Sequence, residues 1–168
     1  MDEALEVRVG RKLREQGLTL ATAESCTGGL IGHRITEVPG SSDYYAGSIV
    51  AYSNEIKMAL LNVSRDTLVE HGAVSRATAL EMARGARSVL AVDLALSVTG
   101  IAGPSGGTPE KPVGLTYIGL AAPDGEWAER HVWSGDRHTN KTRSAQAALI
   151  LLQRYLDGTI HTPSRIPS

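Results

Sequence analysis

The run Thr19-Leu20-Ala21-Thr22-Ala23-Glu24-Ser25-Cys26-Thr27-Gly28-Gly29-Leu30-Ile31-Gly32 constrains this chain more than any other. Its first half alternates β-branched and small apolar residues, as a buried strand does. An apolar helical run follows two adjacent glycines. The pattern predicts a strand that turns sharply, at Ser25, into a helix over residues 26–37. A side chain at such a turn lies at the sheet edge, beside the unpaired N–H groups that open a helix. Those groups favour negative charge, whether a bound phosphate or a developing oxyanion. Ser25 or Thr27 would serve equally as a plain N-cap, and the run by itself leaves both roles open.

The same handover recurs along the chain. An amphipathic helix with Leu5, Val9 and Leu13 at four-residue spacing precedes the run, and Gly17 is placed to end it. A small, β-branched strand over 46–52 leads into a helix capped by Ser53. A short helix over 64–72 and a long alanine-rich helix from Ser75 to about residue 91 follow. A third strand, 93–99, enters the loop 100–114, which is too long for a simple connection. Strands over 115–122 and 126–133 flank the hairpin turn Asp124-Gly125. A last helix over 139–156 buries Ala145, Ala148, Leu149 and Leu152. Helix and strand alternate first and a hairpin comes late, which predicts a single-domain α/β fold, a three-layer α/β/α sandwich with a mixed sheet of about five strands. The domain is expected over 1–157, with a loose tail over 158–168. Ligands gather outside the carboxyl ends of parallel strands, so the turns at Ser25, Tyr52-Ser53 and Thr99-Gly100 are expected to converge.

Composition narrows the classes. A chain of 168 residues with 42% hydrophobic and 21% charged residues is expected to be a soluble globular domain. A net charge of −1 argues against gripping nucleic acid through its phosphates. No apolar run reaches membrane-spanning length and no secretory leader pattern opens the chain, so a cytoplasmic location is the default expectation. One cysteine excludes a disulfide framework, and the histidines lack metal-ligand spacing, so no metal is expected. Phenylalanine is absent, which demands an aliphatic, alanine-rich core with close helix–sheet packing.

Several side chains carry two readings. The glycine-rich loop 100–107 is either a phosphate cradle or a surface loop, and it lacks the Walker ending. Lys57 is either a solvated charge or, in a partly dry pocket, a base for a serine. Tyr52 either ends a strand or lines that pocket. Cys26 reads as a small buried thiol without a histidine partner. Arg137, Lys141 and Arg143 form a solvated basic turn or a phosphate clamp.

Taken together, Ala23-Glu24-Ser25-Cys26-Thr27-Gly28-Gly29, Tyr52-Ser53-Asn54-Glu55-Ile56-Lys57, Val98-Thr99-Gly100-Ile101-Ala102-Gly103-Pro104, Pro112-Val113-Gly114 and Gly135-Asp136-Arg137 resemble the CinA C-terminal domain family, over roughly residues 3–156. Its enzymatic members are nicotinamide-nucleotide amidohydrolases. Longer CinA proteins carry a further N-terminal domain, which is not expected within these 168 residues. The resemblance implies hydrolysis of the carboxamide of nicotinamide mononucleotide to nicotinic acid mononucleotide and ammonia, with no cofactor. It implies Ser25 as nucleophile and Lys57 as base, with Tyr52 beside them. The substrate would be held by Cys26, Thr27 and Gly28, by Thr99, Gly100, Gly103, Ser105 and Gly106, and by Arg137 and Lys141. The expected partner is thus a small pyridine nucleotide, with no nucleic acid or membrane, and the alanine-rich helices suit a homo-oligomer. Two positions depart from many relatives: Ser105 replaces glycine or aspartate, and Lys141 replaces arginine, losing the bidentate fork. The alternative is a nucleotide-binding regulatory domain, without turnover, linked to competence or the DNA-damage response.

Overall fold

The computed structural model describes residues 2–160. Leu5–Gln16 forms α1, whose buried stripe is Leu5, Val9 and Leu13, and Gly17 ends it in the left-handed conformation. The five strands are β1 (Leu20–Glu24), β2 (Tyr45–Val50), β3 (Leu94–Gly100), β4 (Leu115–Ala122) and β5 (Gly125–Val132). The remaining helices are α2 (Leu30–Thr36), α3 (Asn54–Leu61), α4 (Arg65–His71), α5 (Arg76–Val89) and α6 (Arg137–Leu156). The sheet order is β2-β1-β3-β4-β5. β2, β1 and β3 run parallel, whereas β4 and β5 pair antiparallel. The domain is an α/β sandwich with helices on both faces, as the alternation predicts.

Strand parity assigns the two cores. Leu20 of β1 and Leu94, Leu96 and Val98 of β3 point into a large core with α1, α2 and α6. Their neighbours Ala23 and Ala95 point the other way, into a smaller core with Leu61, Met82 and Ala86. Small residues on that second face let α5 approach closely: a Cβ at Gly119 would lie 2.7 Å from the Ala79 carbonyl oxygen. This close approach of helix to sheet is what a phenylalanine-free core needs.

Two helix starts and one cap differ from expectation. α2 begins at Leu30 rather than residue 26, because Gly28 (φ 61°) and Gly29 (φ 102°) hold the chain in left-handed turns until then. α6 begins at Arg137 rather than 139, since the Asp136 side chain accepts from the Thr139 N–H and caps it two residues earlier. Ser64 makes no side-chain cap to α4, whereas Ser53 and Ser75 cap α3 and α5. Of the expected tail, Gly158 and Thr159 bond back to α6 and Ile160 packs on the large core. Residues 161–168 lie outside the described residues.

Strand order decides where a site can form. The chain leaves β1 for β2 on one side and returns across β1 to β3 on the other. The carboxyl ends of β1 and β3 therefore border the crevice that such a reversal opens.

Candidate active site

Ser25 sits at that crevice. Its N–H extends the sheet by one more bond, donating to the Val98 carbonyl at 3.0 Å, and Gly28 closes the turn by donating to the Ser25 carbonyl at 3.1 Å. Period-two alternation puts Ser25 on the same face as Ala21 and Ala23, toward α3 and α5, and Glu24 on the opposite face.

Lys57 lies on that same side of the sheet. It is only 1% exposed, the largest side chain to be so completely buried. It shares the buried stripe of α3 with Leu61, four residues on. Its Nζ lies 3.0 Å from Ser25 Oγ and donates to the Tyr52 carbonyl oxygen at 3.0 Å. No carboxylate pairs with it among the described residues. Burial therefore holds Lys57 below the ordinary lysine range. The neighbouring thiol moves the other way. Burial, reinforced by the charge of Glu24, pushes Cys26 up to about 12, so it stays protonated.

A cavity of about 160 Å³ opens over the pair. Ser25, Cys26, Tyr52, Lys57, Thr99, Gly100 and Arg137 line it, so most of the expected residues converge. Gly100 must lack a side chain: a Cβ there would lie 2.7 Å from Thr116 Oγ1 and 3.2 Å from Cys26 Sγ. The Thr99 hydroxyl is buried and donates to the Ala73 carbonyl at 2.7 Å, fixing the segment that leads into α5. Tyr52 contributes differently from expectation. Its carbonyl faces Lys57, while its ring is 65% exposed and its hydroxyl accepts from Arg137 at 3.2 Å. Arg137 also donates to the Gly103 carbonyl at 2.8 Å, so Gly103 braces the arginine from behind. Lys141, one turn further along α6, brings its Nζ to 3.8 Å from where a Gly28 Cβ would stand.

Other expected residues stand apart from the cavity wall. Ser105 and Gly106 lie exposed on the loop, outside the cavity wall. The Thr27 hydroxyl is turned away, donating to Glu24 Oε1 at 2.7 Å. The N–H groups that open α2 are also unavailable to a ligand. Those of Ile31 and Gly32 donate to Glu24 Oε1 and Oε2 at 2.8 and 2.9 Å. Sequence reasoning passed over Glu24 because it sits in a strand whose other residues are small and apolar. It also passed over Asn140, buried, whose side-chain amide donates to the carbonyls of Ala102 and Gly135 and accepts the Gly135 N–H. Asn140 ties α6 to the loop after β3. Its signal was a polar residue one turn into a helix, on its buried side.

Among the described residues no group of three or more histidine, cysteine, aspartate or glutamate side chains is placed to hold a metal, and no helix is long and apolar enough to cross a membrane.

The fold and the site define a three-layer α/β domain with a buried serine–lysine pair at the carboxyl edge of its parallel strands. Over residues 2–156 the chain matches the CinA C-terminal domain, and it belongs to that family. A competence-damage inducible protein of Halothermothrix orenii is 53% identical over 156 residues, covering 92% of this chain and 38% of the relative. A CinA-like protein of Salinibacter ruber is 51% identical over 155 residues, again 92% of this chain and 38% of the relative. The chain thus spans about two fifths of the length of these curated relatives. Among solved structures, the competence/damage inducible protein CihA from Agrobacterium tumefaciens superposes with a TM-score of 0.88 at 40% identity, covering 91% of this chain and 93% of that one. A CinA superfamily protein from Klebsiella pneumoniae superposes with a TM-score of 0.88 at 31% identity, covering 92% and 96%.

Proposed function

We propose that this chain hydrolyses the carboxamide of nicotinamide mononucleotide, giving nicotinic acid mononucleotide and ammonia through an acyl-enzyme on Ser25. The observation that carries this is the 3.0 Å contact between Ser25 Oγ and a buried lysine that has no counter-ion among the described residues. Such a lysine gives up its proton more readily than a free one, and only the neutral amine can act as a base.

The geometry supports the following steps. Neutral Lys57 accepts the Ser25 hydroxyl proton while its remaining N–H stays on the Tyr52 carbonyl, which aims its lone pair. Ser25 Oγ attacks the amide carbon, and the C–N bond then breaks as Lys57 returns the proton to the departing ammonia. Water, deprotonated by the same amine, hydrolyses the ester and restores Ser25. The choice of a pyridine nucleotide rests on family membership and on the two cations of α6. Arg137 reaches the cavity wall and Lys141 approaches Gly28, where a 5′-phosphate can lie.

Incubation with nicotinamide mononucleotide and measurement of released ammonia tests the activity directly. Binding without ammonia favours a regulatory nucleotide-binding domain instead. Lys141→Ala is expected to weaken nicotinamide mononucleotide by about 1.5–3 kcal/mol, the worth of one charge-assisted contact, and to leave the dephosphorylated riboside nearly unaffected. Equal losses for the two substrates would show that Lys141 does not read the phosphate.

The pH profile is a separate check. Because the base must be neutral, kcat/KM rises with pH through the Lys57 ionisation. Burial lowers that ionisation, so the rise is expected to be complete below the free-lysine value of about 10.4. A profile that keeps rising beyond it would assign the base elsewhere.

A further inference from the structure

We propose that Glu24 is a positioning residue for Ser25, one that takes up the N–H groups opening α2 and so leaves oxyanion stabilisation to the turn itself, at the Cys26 N–H. This rests on Ser25 being the nucleophile. Glu24 is completely buried, and its carboxylate accepts from five donors. Oε1 takes the Thr27 hydroxyl at 2.7 Å and the Ile31 N–H at 2.8 Å. Oε2 takes the Gly32 N–H at 2.9 Å, the Ser48 hydroxyl at 3.1 Å and the Thr22 hydroxyl at 3.2 Å. One side chain therefore joins β1, β2, the turn and α2. No cation pairs with it among the described residues, and its two oxygens face N–H and O–H donors alone.

The accounting of backbone donors around Ser25 points to the same role. The Ser25 N–H goes to Val98, that of Gly28 to Ser25, that of Leu30 to Thr27 and that of His33 to Gly29. With Ile31 and Gly32 on Glu24, the start of α2 is fully occupied. In the turn, no described hydrogen bond takes up the N–H groups of Thr27 and Gly29, and that of Cys26 faces only its own sulfur, a weak acceptor. Of these, Cys26 directly follows the nucleophile and lines the cavity. The residue after a serine nucleophile is a common oxyanion donor, because its N–H moves with the attacking oxygen. The Thr27 hydroxyl on Glu24 anchors the residue that follows Cys26. Parity adds a second consequence. Glu24 and Ser25 face opposite sides of the sheet, so the buried carboxylate braces the turn without forming an ion pair that would keep Lys57 protonated.

Glutamine at position 24 preserves shape but offers a single acceptor oxygen, and its NH2 group would face donors. The test compares Glu24→Gln, Thr27→Val and Thr27→Ser with the parent. Two rates are measured: covalent labelling of Ser25 by a fluorophosphonate, located by peptide mass spectrometry, and turnover of nicotinamide mononucleotide. Glu24→Gln and Thr27→Val are expected to lose on the order of 10²-fold in both labelling rate and kcat, the usual cost of misplacing a reacting group. KM is expected to stay within about threefold, because the loss falls in the transition state. Thr27→Ser keeps the hydroxyl on Glu24 and is expected to recover most of both rates. Circular dichroism establishes that each variant is folded, and should Glu24→Gln fail to fold, the Thr27 pair decides. Folded variants that label and turn over at the parental rate would overturn the proposal, as would Thr27→Ser being impaired as deeply as Thr27→Val. A parent that labels at Ser25 yet releases no ammonia overturns the amidase activity only, and the labelling rates then judge Glu24. A parent that does neither removes the nucleophile and this role with it.

Discussion

Lys57→Met is expected to be catalytically dead, and its heat stability relative to the parent is expected to grow as the pH falls. The loss of activity follows from removal of the base, whose contribution is typically about 10²–10⁴-fold. Methionine keeps the length of the stem and fills the buried space. The stability effect follows from proton linkage. Burial lowers the Lys57 pKa in the folded state, so between that value and about 10.4 the unfolded chain binds more protons than the folded one. Parental stability therefore rises with pH across that window, and below it the cost of burying the charge is fully present. Methionine carries no such cost. It also forfeits two hydrogen bonds, each worth about 1 kcal/mol, and that offset does not depend on pH. The diagnostic quantity is thus how the difference in Tm changes between pH 6 and pH 9.5, read at about 2–4 °C per kcal/mol for a domain of this size. Lys57→Arg should be inactive as well, since a guanidinium keeps its proton throughout this pH range. A Tm difference that is flat with pH, or an active Lys57→Arg, would contradict a buried lysine base.

Ser25→Ala is expected to lose roughly 10⁴–10⁶-fold in kcat while still binding substrate. Removing the hydroxyl removes the atom that forms the acyl-enzyme, and Lys57 and the oxyanion donors alone can only assist attack by water. The effect on folding is small by comparison. Ser25 is 7% exposed and its side chain makes one described hydrogen bond, to Lys57, so the expected cost is about 1 kcal/mol. Binding can be followed as the rise in Tm caused by added nicotinamide mononucleotide. In the parent, hydroxylamine should intercept the ester and yield the hydroxamate of the nucleotide; in Ser25→Ala it should not. Near-parental turnover in Ser25→Ala would sink the nucleophile assignment.

What the chain determines locally is written at short range. Ser53 and Ser75 cap helices because a side-chain oxygen reaches an N–H three residues on, a distance fixed by local geometry. The strand 20–24 and the turn after it follow from small and β-branched residues meeting two glycines, and Asp124-Gly125 marks the hairpin for the same kind of reason. The alternation of these elements suffices for the α/β class. The Ser25–Lys57 pair was legible through the family motifs but not from spacing, because 32 residues separate the two and nothing local draws them together. Tertiary structure decided that contact: β2 pairs beside β1, and α3, leaving the end of β2, turns its buried stripe toward Ser25. It decided that Lys57 is dry, since burial depends on what packs over a helix face and not on the helix's own sequence. It removed Ser105 and Gly106 from the cavity, because glycine content licenses a loop's conformations without saying where the loop lies. It gave Tyr52 its part through a carbonyl, a group every residue carries and no motif can mark. Glu24 shows the limit most clearly: one carboxylate takes donors from β1, β2, the turn and α2, and only the assembled sheet brings those groups within reach of it.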